Sequence, residues 1–219
     1  MSVALSVERV CAVVLAGGRG TRMGGVDKGL QPFRGTPMAL HALDRLRRQT
    51  TGAPGLIAIN ANRNQMLYAQ KDIPVWPDSL EGYPGPLAGF LTALEQCYLQ
   101  KPAFDYVLTV PCDSPLFPLD LLERMASALV TANADIAIAS APQASDDGTV
   151  RIRTQPVFCL MRTHLLTDLQ SFLAAGGRKI DAWTGQQRQV DVVFDALNDS
   201  RNAFFNANTL VQLQQLEQK

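Results

Sequence analysis

Short apolar runs alternate along the chain with amphipathic segments long enough to form helices. Runs of this kind, mostly rich in β-branched residues, predict strands. The first run is continuously apolar, which is typical of a strand buried on both faces of a parallel sheet. The predicted strands are Val10–Ala16, Leu56–Ile59, Val75–Trp76, Tyr106–Val110, Ile136–Ser140, Val157–Met161 and Val190–Phe194.

Between these runs, large apolar residues recur every three or four positions, which is the spacing of an amphipathic helix. The helices are predicted to begin near Pro37, Pro86, Leu119, Leu165 and Thr209. Strands separated by helix-length segments favour parallel βαβ units. The pattern therefore predicts an α/β fold with three layers, built around a doubly wound and mostly parallel sheet.

The polar segment Gln143–Arg153 contains Asp-Asp-Gly and predicts a loop. No linker-like stretch divides the chain. We therefore expect residues 1–219 to form a single domain, with residues 1–9 as a flexible N-terminus.

Composition narrows the possible functions. The 20 Lys and Arg residues equal the 20 Asp and Glu residues in number, and this balance disfavours a nucleic-acid partner. No apolar run approaches the roughly 18 residues of a membrane span, so we expect no membrane partner. The N-terminus lacks the features of a signal peptide, and we expect a cytoplasmic protein.

The cysteines and histidines do not form a metal-binding pattern. The four cysteines are far apart and include no C-x-x-C pair, so we expect reduced thiols. His41 and His164 are isolated from each other, and each is expected to be hydrogen-bonded or solvated rather than a ligand.

Polar residues follow the first four predicted strands, where an α/β sheet binds its ligands. They comprise a glycine-rich loop that contains Lys28, followed by Asn60, Asn62, Asp78 and Asp113. Glycines, cations, amides and carboxylates at one edge of a sheet are typical of a site for a nucleotide and a metal ion.

The glycine-rich loop, residues 17–29, fits neither of two common phosphate-binding patterns. Lys28 follows Asp27 instead of a glycine, which excludes G-x-x-x-x-G-K-[ST]. Met23 stands where G-x-G-x-x-G requires its third glycine. Arg22 and Lys28 among the glycines nevertheless favour phosphate binding over a simple turn.

Leu15–Gly29 resembles the L-A-G-G-x-x-x-R-M-G-G-x-D-K signature of the MobA family of molybdenum cofactor guanylyltransferases. Its first part, L-A-G-G-x-x-x-R-M-G, is shared by many sugar- and cofactor-nucleotidyltransferases, and the later segments add specificity. These segments resemble the family in the same order, so the resemblance covers essentially the whole chain. They are Asn60–Arg63, Asp78–Ser79, Tyr83–Gly89, Pro111–Pro115 and Phe205–Thr209.

The resemblance implies a Rossmann-like nucleotidyltransferase fold and the transfer of GMP from GTP to the terminal phosphate of Mo-molybdopterin. It also implies that Mg²⁺ assists, that pyrophosphate leaves, and that the product is the guanine dinucleotide form of the cofactor. Its partners would be GTP and Mo-molybdopterin, together with other proteins of molybdenum cofactor biosynthesis and molybdoenzyme chaperones.

The family's site residues carry over position by position. Lys28, Arg22 and Asp113 would be catalytic, with Asp113 also the metal ligand. Asn206 and Asn208 would contact the pterin. The residues implied to bind GTP are Leu15, Ala16, Gly17, Gly18, Lys28, Asn60, Asp78 and Asp113.

Several of these residues have alternative structural roles. Asp113 could cap the helix that follows it, and Asp78 could form an ordinary Asx turn. Asn206 and Asn208 could belong to a helix cap with Thr209.

Two other functions also stay open: a cytidylyl- or uridylyltransferase acting on a phosphorylated sugar or cofactor, and a non-catalytic nucleotide-binding regulatory module. The presence of both Lys28 and Asp113 disfavours the regulatory module.

Overall fold

The computed structural model describes residues 5–18, 26–69, 73–80, 85–144, 148–207 and 209–218. Its strands are β1 (Val10–Leu15), β2 (Pro32–Phe33), β3 (Thr36–Pro37), β4 (Leu56–Asn60), β5 (Val75–Trp76), β6 (Tyr106–Pro111), β7 (Ile136–Ala144), β8 (Val150–Arg162) and β9 (Gln189–Val193). Its helices are α1 (Met38–Arg47), α2 (Gln65–Tyr68), α3 (Pro86–Leu99), α4 (Leu121–Thr131), α5 (Leu166–Ala174), α6 (Ile180–Thr184) and α7 (Leu210–Glu217).

Seven of these strands form one mostly parallel sheet in the order β5-β4-β1-β6-β8-β7-β9. The strand β1 lies between β4 and β6 and is parallel to both. The strand β8 runs antiparallel to its neighbours β6 and β7, whereas β7 and β9 are parallel. The predicted sheet is therefore confirmed, with β8 as an antiparallel member.

Helices cover both faces of the sheet and make it the middle of three layers. Alternate residues of β1 point to opposite faces because side chains of a strand alternate. Val10, Ala12 and Val14 join a core with α1 and α4, whereas Cys11 and Val13 join a second core with α3, α5 and α6. The apolar sequence of β1 follows from this burial on both faces.

The region predicted as a loop, Gln143–Arg153, is largely strand, and that prediction is wrong. The strands β7 and β8 pair as far as Ala144 and Val150, which makes an antiparallel ribbon. Most side chains at the tip of this ribbon are exposed on both faces, and Val150 and Ile152 are among them. Without a buried face, the segment lacks the alternation of apolar and polar residues that marks a strand.

The predicted states of the cysteines and of His41 are confirmed. All four cysteines are free and buried. The Nε2 atom of His41 lies 2.7 Å from the carbonyl oxygen of Phe33, within hydrogen-bond distance. In the part of the chain that the structure describes, no helix is long and apolar enough to cross a membrane.

Candidate active site

The first four strands of the predicted pattern end at one edge of the sheet. Leu15, the last residue of β1, pairs with Asn60 in β4 and with Pro111 in β6. Asn60 in turn pairs with Trp76, the last residue of β5. Because these strands are parallel, the segments that leave them emerge side by side, as expected for a ligand site.

An amide and carboxylate cluster occupies the β4–β5 side of this edge. The Nδ2 atom of Asn60 donates to the carbonyl oxygen of Trp76 at 3.1 Å and to Oδ1 of Asp78 at 2.9 Å. The Nδ2 atom of Asn62 donates to Oδ2 of Asp78 at 2.7 Å, and the Asp78 backbone N–H donates to Oδ1 of Asn62 at 2.8 Å. The orientations of both amides and of the carboxylate are fixed by these bonds.

Two glycines leave room for this cluster. A Cβ atom on Gly17 would lie 3.1 Å from Nδ2 of Asn62 and 3.3 Å from Oδ1 of Asn60. A Cβ atom on Gly89, in α3, would lie only 2.7 Å from Oδ1 of Asn60. The next glycine of the loop differs, because no heavy atom of the described residues lies within 4 Å of the Cβ position of Gly18. None of those residues would hinder a phosphate from approaching its backbone.

On the β6 side of the edge, Lys28 and Asp113 form an ion pair. The Nζ atom of Lys28 lies 3.1 Å from Oδ2 of Asp113, and the two side chains are 20% and 17% exposed. Lys28 begins a short 3-10 turn, Lys28–Leu30, and Asp113 lies two residues beyond β6. A cation for phosphate oxygens and a carboxylate for a metal ion are thus adjacent and partly accessible.

Cys112, the residue before Asp113, is buried. Burial is the main reason that the pKa of Cys112 is well above its ordinary value, and the carboxylates of Asp113 and Asp27 raise that pKa further. Cys112 is therefore a neutral thiol at physiological pH and adds no negative charge to the site.

Asn206 lies next to Asp113 in space. The Oδ1 atom of Asn206 accepts a hydrogen bond from Oγ of Ser114 at 2.5 Å, and the Ala207 N–H donates to the carbonyl oxygen of Asp113 at 2.9 Å. The segment before α7 is therefore fastened to the turn after β6.

The structure excludes two helix-capping roles that the sequence left open. The helix α4 begins at Leu121, eight residues after Asp113, so Asp113 does not cap it. The hydroxyl of Thr209 accepts from the Gln212 N–H at 3.1 Å and caps α7, so Asn206 is not its N-cap. Arg22 and Asn208 fall outside the residues that the structure describes.

The sequence reasoning missed Asp27, Asn64 and Tyr68 as members of this region. Asn64 and Tyr68 both donate hydrogen bonds to the buried carboxylate of Asp27, which immediately precedes Lys28. The i, i+4 spacing of Asn64 and Tyr68 was a signal that both could lie on one side of a helical turn. Nothing in the sequence indicated which residue they would contact.

The donor set at Asp113 fits a magnesium ion. In the described ranges, no group of three or more His, Cys, Asp or Glu side chains could hold a metal ion by itself. Mg²⁺ is usually bound by one or two carboxylates together with substrate phosphates and water. One partly accessible carboxylate beside the ammonium group of Lys28, which could bind the substrate phosphates, meets that requirement.

Comparison of the sequence with known proteins finds relatives over nearly the whole chain. Residues 12–191 match the family model described as MobA-like NTP transferase domain. The molybdenum cofactor guanylyltransferase of Acidovorax ebreus is 56% identical over 214 residues, which cover 97% of each chain. The enzyme of the same name from Bordetella pertussis is 49% identical over 208 residues, which cover 95% of this chain and 96% of that one.

Solved structures share the fold. Molybdopterin-guanine dinucleotide biosynthesis protein A from Archaeoglobus fulgidus superimposes with a TM-score of 0.71 at 19% identity, covering 95% of this chain and 97% of that chain. A 4-diphosphocytidyl-2C-methyl-D-erythritol synthase from Anaerococcus prevotii has a TM-score of 0.68 at 13% identity, covering 95% and 94%. Similarity at this level of identity concerns the fold alone.

Proposed function

Because the chain belongs to the family of MobA-like NTP transferase domains, we propose that it transfers GMP from GTP to the terminal phosphate of Mo-molybdopterin. Relatives at 49–56% identity over nearly the full length are named molybdenum cofactor guanylyltransferases. The observation that carries the proposal is the Lys28–Asp113 pair, set 3.1 Å apart just beyond the end of β6.

In the proposed reaction, an oxygen of the pterin's terminal phosphate forms a bond to the α-phosphorus of GTP. The bond between the α-phosphorus and the bridging oxygen to the β-phosphate breaks, and pyrophosphate leaves with the bonding electrons. Two anions must approach each other and a third must depart, so positioning and charge neutralisation supply most of the catalysis. No side-chain nucleophile is needed.

The residues that the sequence singled out have matching roles in this proposal. The backbone N–H groups of Gly17 and Gly18 would bind phosphate oxygens, since no Cβ blocks their approach. Lys28 would place its charge at the α-phosphate, and Arg22 would bind phosphate oxygens with its guanidinium. Asp113 would hold Mg²⁺, which supplies Lewis-acid neutralisation of the phosphate charge when it is bound.

Guanine recognition is assigned to the cluster of Asn60 and Asp78. The Asn60 side chain is fixed by two hydrogen bonds from its Nδ2, so its Oδ1 acceptor has a defined orientation. Each carboxylate oxygen of Asp78 accepts one hydrogen bond from an amide group. Each oxygen therefore has a second lone pair that can accept from an N–H group of the nucleotide base. Acceptors of this kind suit the N1–H and N2–H groups of guanine.

We assign the pterin side to the segment that contains Asn206 and Asn208. Asn206 contacts Ser114, one residue from Asp113, so a substrate bound there would have its phosphate near the proposed metal ligand.

The four free and buried cysteines agree with the proposed location in the reducing cytoplasm. Proteins that deliver Mo-molybdopterin or receive the product would be its further partners.

The test is pyrophosphate release from GTP, CTP, UTP and ATP in Mg²⁺, with and without molybdopterin that carries molybdenum. We expect release that requires both GTP and the pterin, and a larger rise in melting temperature with GTP than with CTP. Equal rates with CTP would contradict the guanylyl assignment. Absence of release with every nucleotide would contradict nucleotidyl transfer itself.

A further inference from the structure

The segment before Lys28 is fastened to α2 through the carboxylate of Asp27. Asp27 is 9% exposed. Its Oδ1 accepts a hydrogen bond from the Tyr68 hydroxyl, and its Oδ2 accepts from Nδ2 of Asn64 at 3.1 Å. The Tyr68 side chain is almost fully buried. Two neutral donors, one directly before α2 and one at its last residue, therefore hold a buried carboxylate.

The Tyr68 ring also supports the turn that carries Lys28. A Cβ atom on Gly29 would overlap the hydroxyl oxygen of Tyr68, so the turn lies directly on the ring edge. Burial, with help from the hydrogen bond to Asp27, raises the pKa of the Tyr68 hydroxyl far above its ordinary value. The hydroxyl therefore stays protonated and remains a donor throughout the physiological pH range.

A local role for Asp27 does not account for this arrangement. An aspartate directly before a helical turn commonly caps that turn with its own carboxylate. Here the carboxylate makes no such capping bond. The turn is closed through the Asp27 carbonyl instead, which accepts from the Leu30 N–H at 3.3 Å and from Nε2 of Gln31 at 3.1 Å. The carboxylate is thus directed away from its own turn and toward α2.

Asn64 contributes a second feature of this contact. Its φ of 51° lies in the left-handed region, which asparagine tolerates better than most residues. Its carbonyl accepts from the Leu67 N–H at 2.8 Å, which closes the first turn of α2. Asn64 thus starts the helix with its backbone while its side chain binds Asp27.

From these contacts we propose that Tyr68 and Asn64 are positioning residues, which hold Asp27 so that Lys28 stays directed at Asp113 and the incoming phosphates. The proposal rests on the function proposed above, in which Lys28 contacts GTP. Lys28 has four rotatable side-chain bonds, so a fixed backbone just before it limits where its ammonium group can reach. Neither Tyr68 nor Asn64 needs to touch the substrate.

A double-mutant cycle tests this proposal. Tyr68→Phe keeps the ring beneath Gly29 and removes only the hydroxyl. We expect it to weaken GTP affinity in Mg²⁺, measured by calorimetry, by about 3- to 10-fold, the scale of one hydrogen bond. In a Lys28→Ala background we expect the same change to have less than about a 2-fold effect, because residues that act through each other are not additive.

Two further variants make the outcome decisive. Asn64→Gly suits the positive φ, removes the other donor to Asp27 and should show the same dependence on Lys28. Tyr106→Phe is the matched control. Its hydroxyl accepts from Nη1 of Arg162 at 3.2 Å at the first residue of β6, far from the site, and its loss should leave GTP affinity unchanged.

The two double-mutant cycles distinguish a positioning role from a purely structural one. A large effect of Tyr68→Phe or Asn64→Gly only when Lys28 is present supports the positioning role. Equal effects with and without Lys28, in variants that melt near the wild type, would overturn it in favour of a purely structural contact. Should Tyr68→Phe fail to fold, the Asn64→Gly cycle decides alone. Wild-type protein that binds no GTP would instead contradict the proposed function.

Discussion

Asp113 is held by its backbone independently of its carboxylate. Its carbonyl oxygen accepts from the Ala207 N–H at 2.9 Å, and the neighbouring Ser114 hydroxyl donates to Asn206. The carboxylate itself pairs with Lys28 and is partly exposed. A change confined to the carboxylate should therefore alter the charge of the site without unfolding the turn.

We expect Asp113→Asn to lower the rate of pyrophosphate release by about 10²–10³-fold, since one preorganised electrostatic contact contributes about that much. The variant should melt close to the wild type and bind GTP more weakly in Mg²⁺. Steady-state assays and thermal denaturation check both expectations. The matched control is Asp120→Asn, which neutralises an acid paired with Arg124 at 3.6 Å beside α4 and should keep most activity. Near-normal turnover by Asp113→Asn at ordinary Mg²⁺ would show that the metal ligand lies elsewhere.

At the scale of elements, the site depends on how closely α3 approaches the sheet. Gly89 lies in the first turn of α3 against Oδ1 of Asn60 and a methyl group of Leu15. Asn60 cannot move aside easily, because its amide is bonded to Trp76 and Asp78 and its side chain is almost fully buried. The glycine here serves close packing, since its backbone is ordinary helix.

Gly89→Ala should therefore destabilise the protein, although alanine is the better helix former by about 1 kcal/mol. Overpacking of this kind costs about 1–3 kcal/mol. At a cost of about 2 kcal/mol, the net loss after the helix gain is about 1 kcal/mol, which corresponds to a drop of roughly 2–4 °C in melting temperature for a chain of this size. Thermal denaturation without nucleotide measures this drop in melting temperature. Gly18→Ala, whose new Cβ would meet no atom within 4 Å in the part of the chain that the structure describes, is the control and should melt like the wild type. An unchanged melting temperature for Gly89→Ala would refute the packing argument.

The long elements were predictable from the sequence because each has a face, or two faces, in a core. The predicted strands lie within about two residues of the observed β1, β4, β5, β6 and β9. The helices α2 and α6 were missed because four or five residues are too few to show a period. The ribbon of β7 and β8 was missed because its tip is polar and exposed.

Part of the candidate site was also predictable from the sequence. Polar residues directly after buried parallel strands had to meet at one edge, so Asn60, Asp78 and Asp113 could be grouped in advance. The pairings within that group could not be predicted, because they depend on how loops fold back. The bond from Tyr68 to Asp27 spans 41 positions and follows from the placement of α2.

At the scale of the whole molecule, charges of both signs balance, and some of them form an ion-pair cluster at the opposite edge of the sheet. Asp135 accepts two hydrogen bonds of 2.8 Å from Arg188 and lies near Arg162 and His164. The hydrogen bond from Arg188 is the main reason that the pKa of Asp135 is below its ordinary value. The cluster joins the amino ends of β7 and β9 to the end of β8.

Because the pKa of Asp135 is lowered in the folded state, its contribution to stability is present above the unfolded pKa of about 4 and is lost as the pH falls further. We expect the difference in unfolding free energy between wild type and Asp135→Asn to be constant above about pH 5 and to shrink toward pH 2. Urea denaturation at a series of pH values measures this difference in unfolding free energy. Asp44→Asn, from an exposed pair with Arg48, should change little at any pH. A difference that stays constant down to pH 2 would contradict the role of Asp135.

The ribbon of β7 and β8 has a consequence for how the chain reaches this structure. Its strands are neighbours in sequence, and hairpins of this kind form in about 1–10 μs. The pairing of β1 with β6 instead joins distant segments, and the residues just before these strands, Arg9 and Asp105, are hydrogen-bonded across 96 positions. Closing so long a loop is entropically costly and slows folding. The C-terminal part of the sheet should therefore gain protection from hydrogen exchange first during refolding, and the edge that carries the candidate active site, which needs β1, β4 and β6 together, should be completed last.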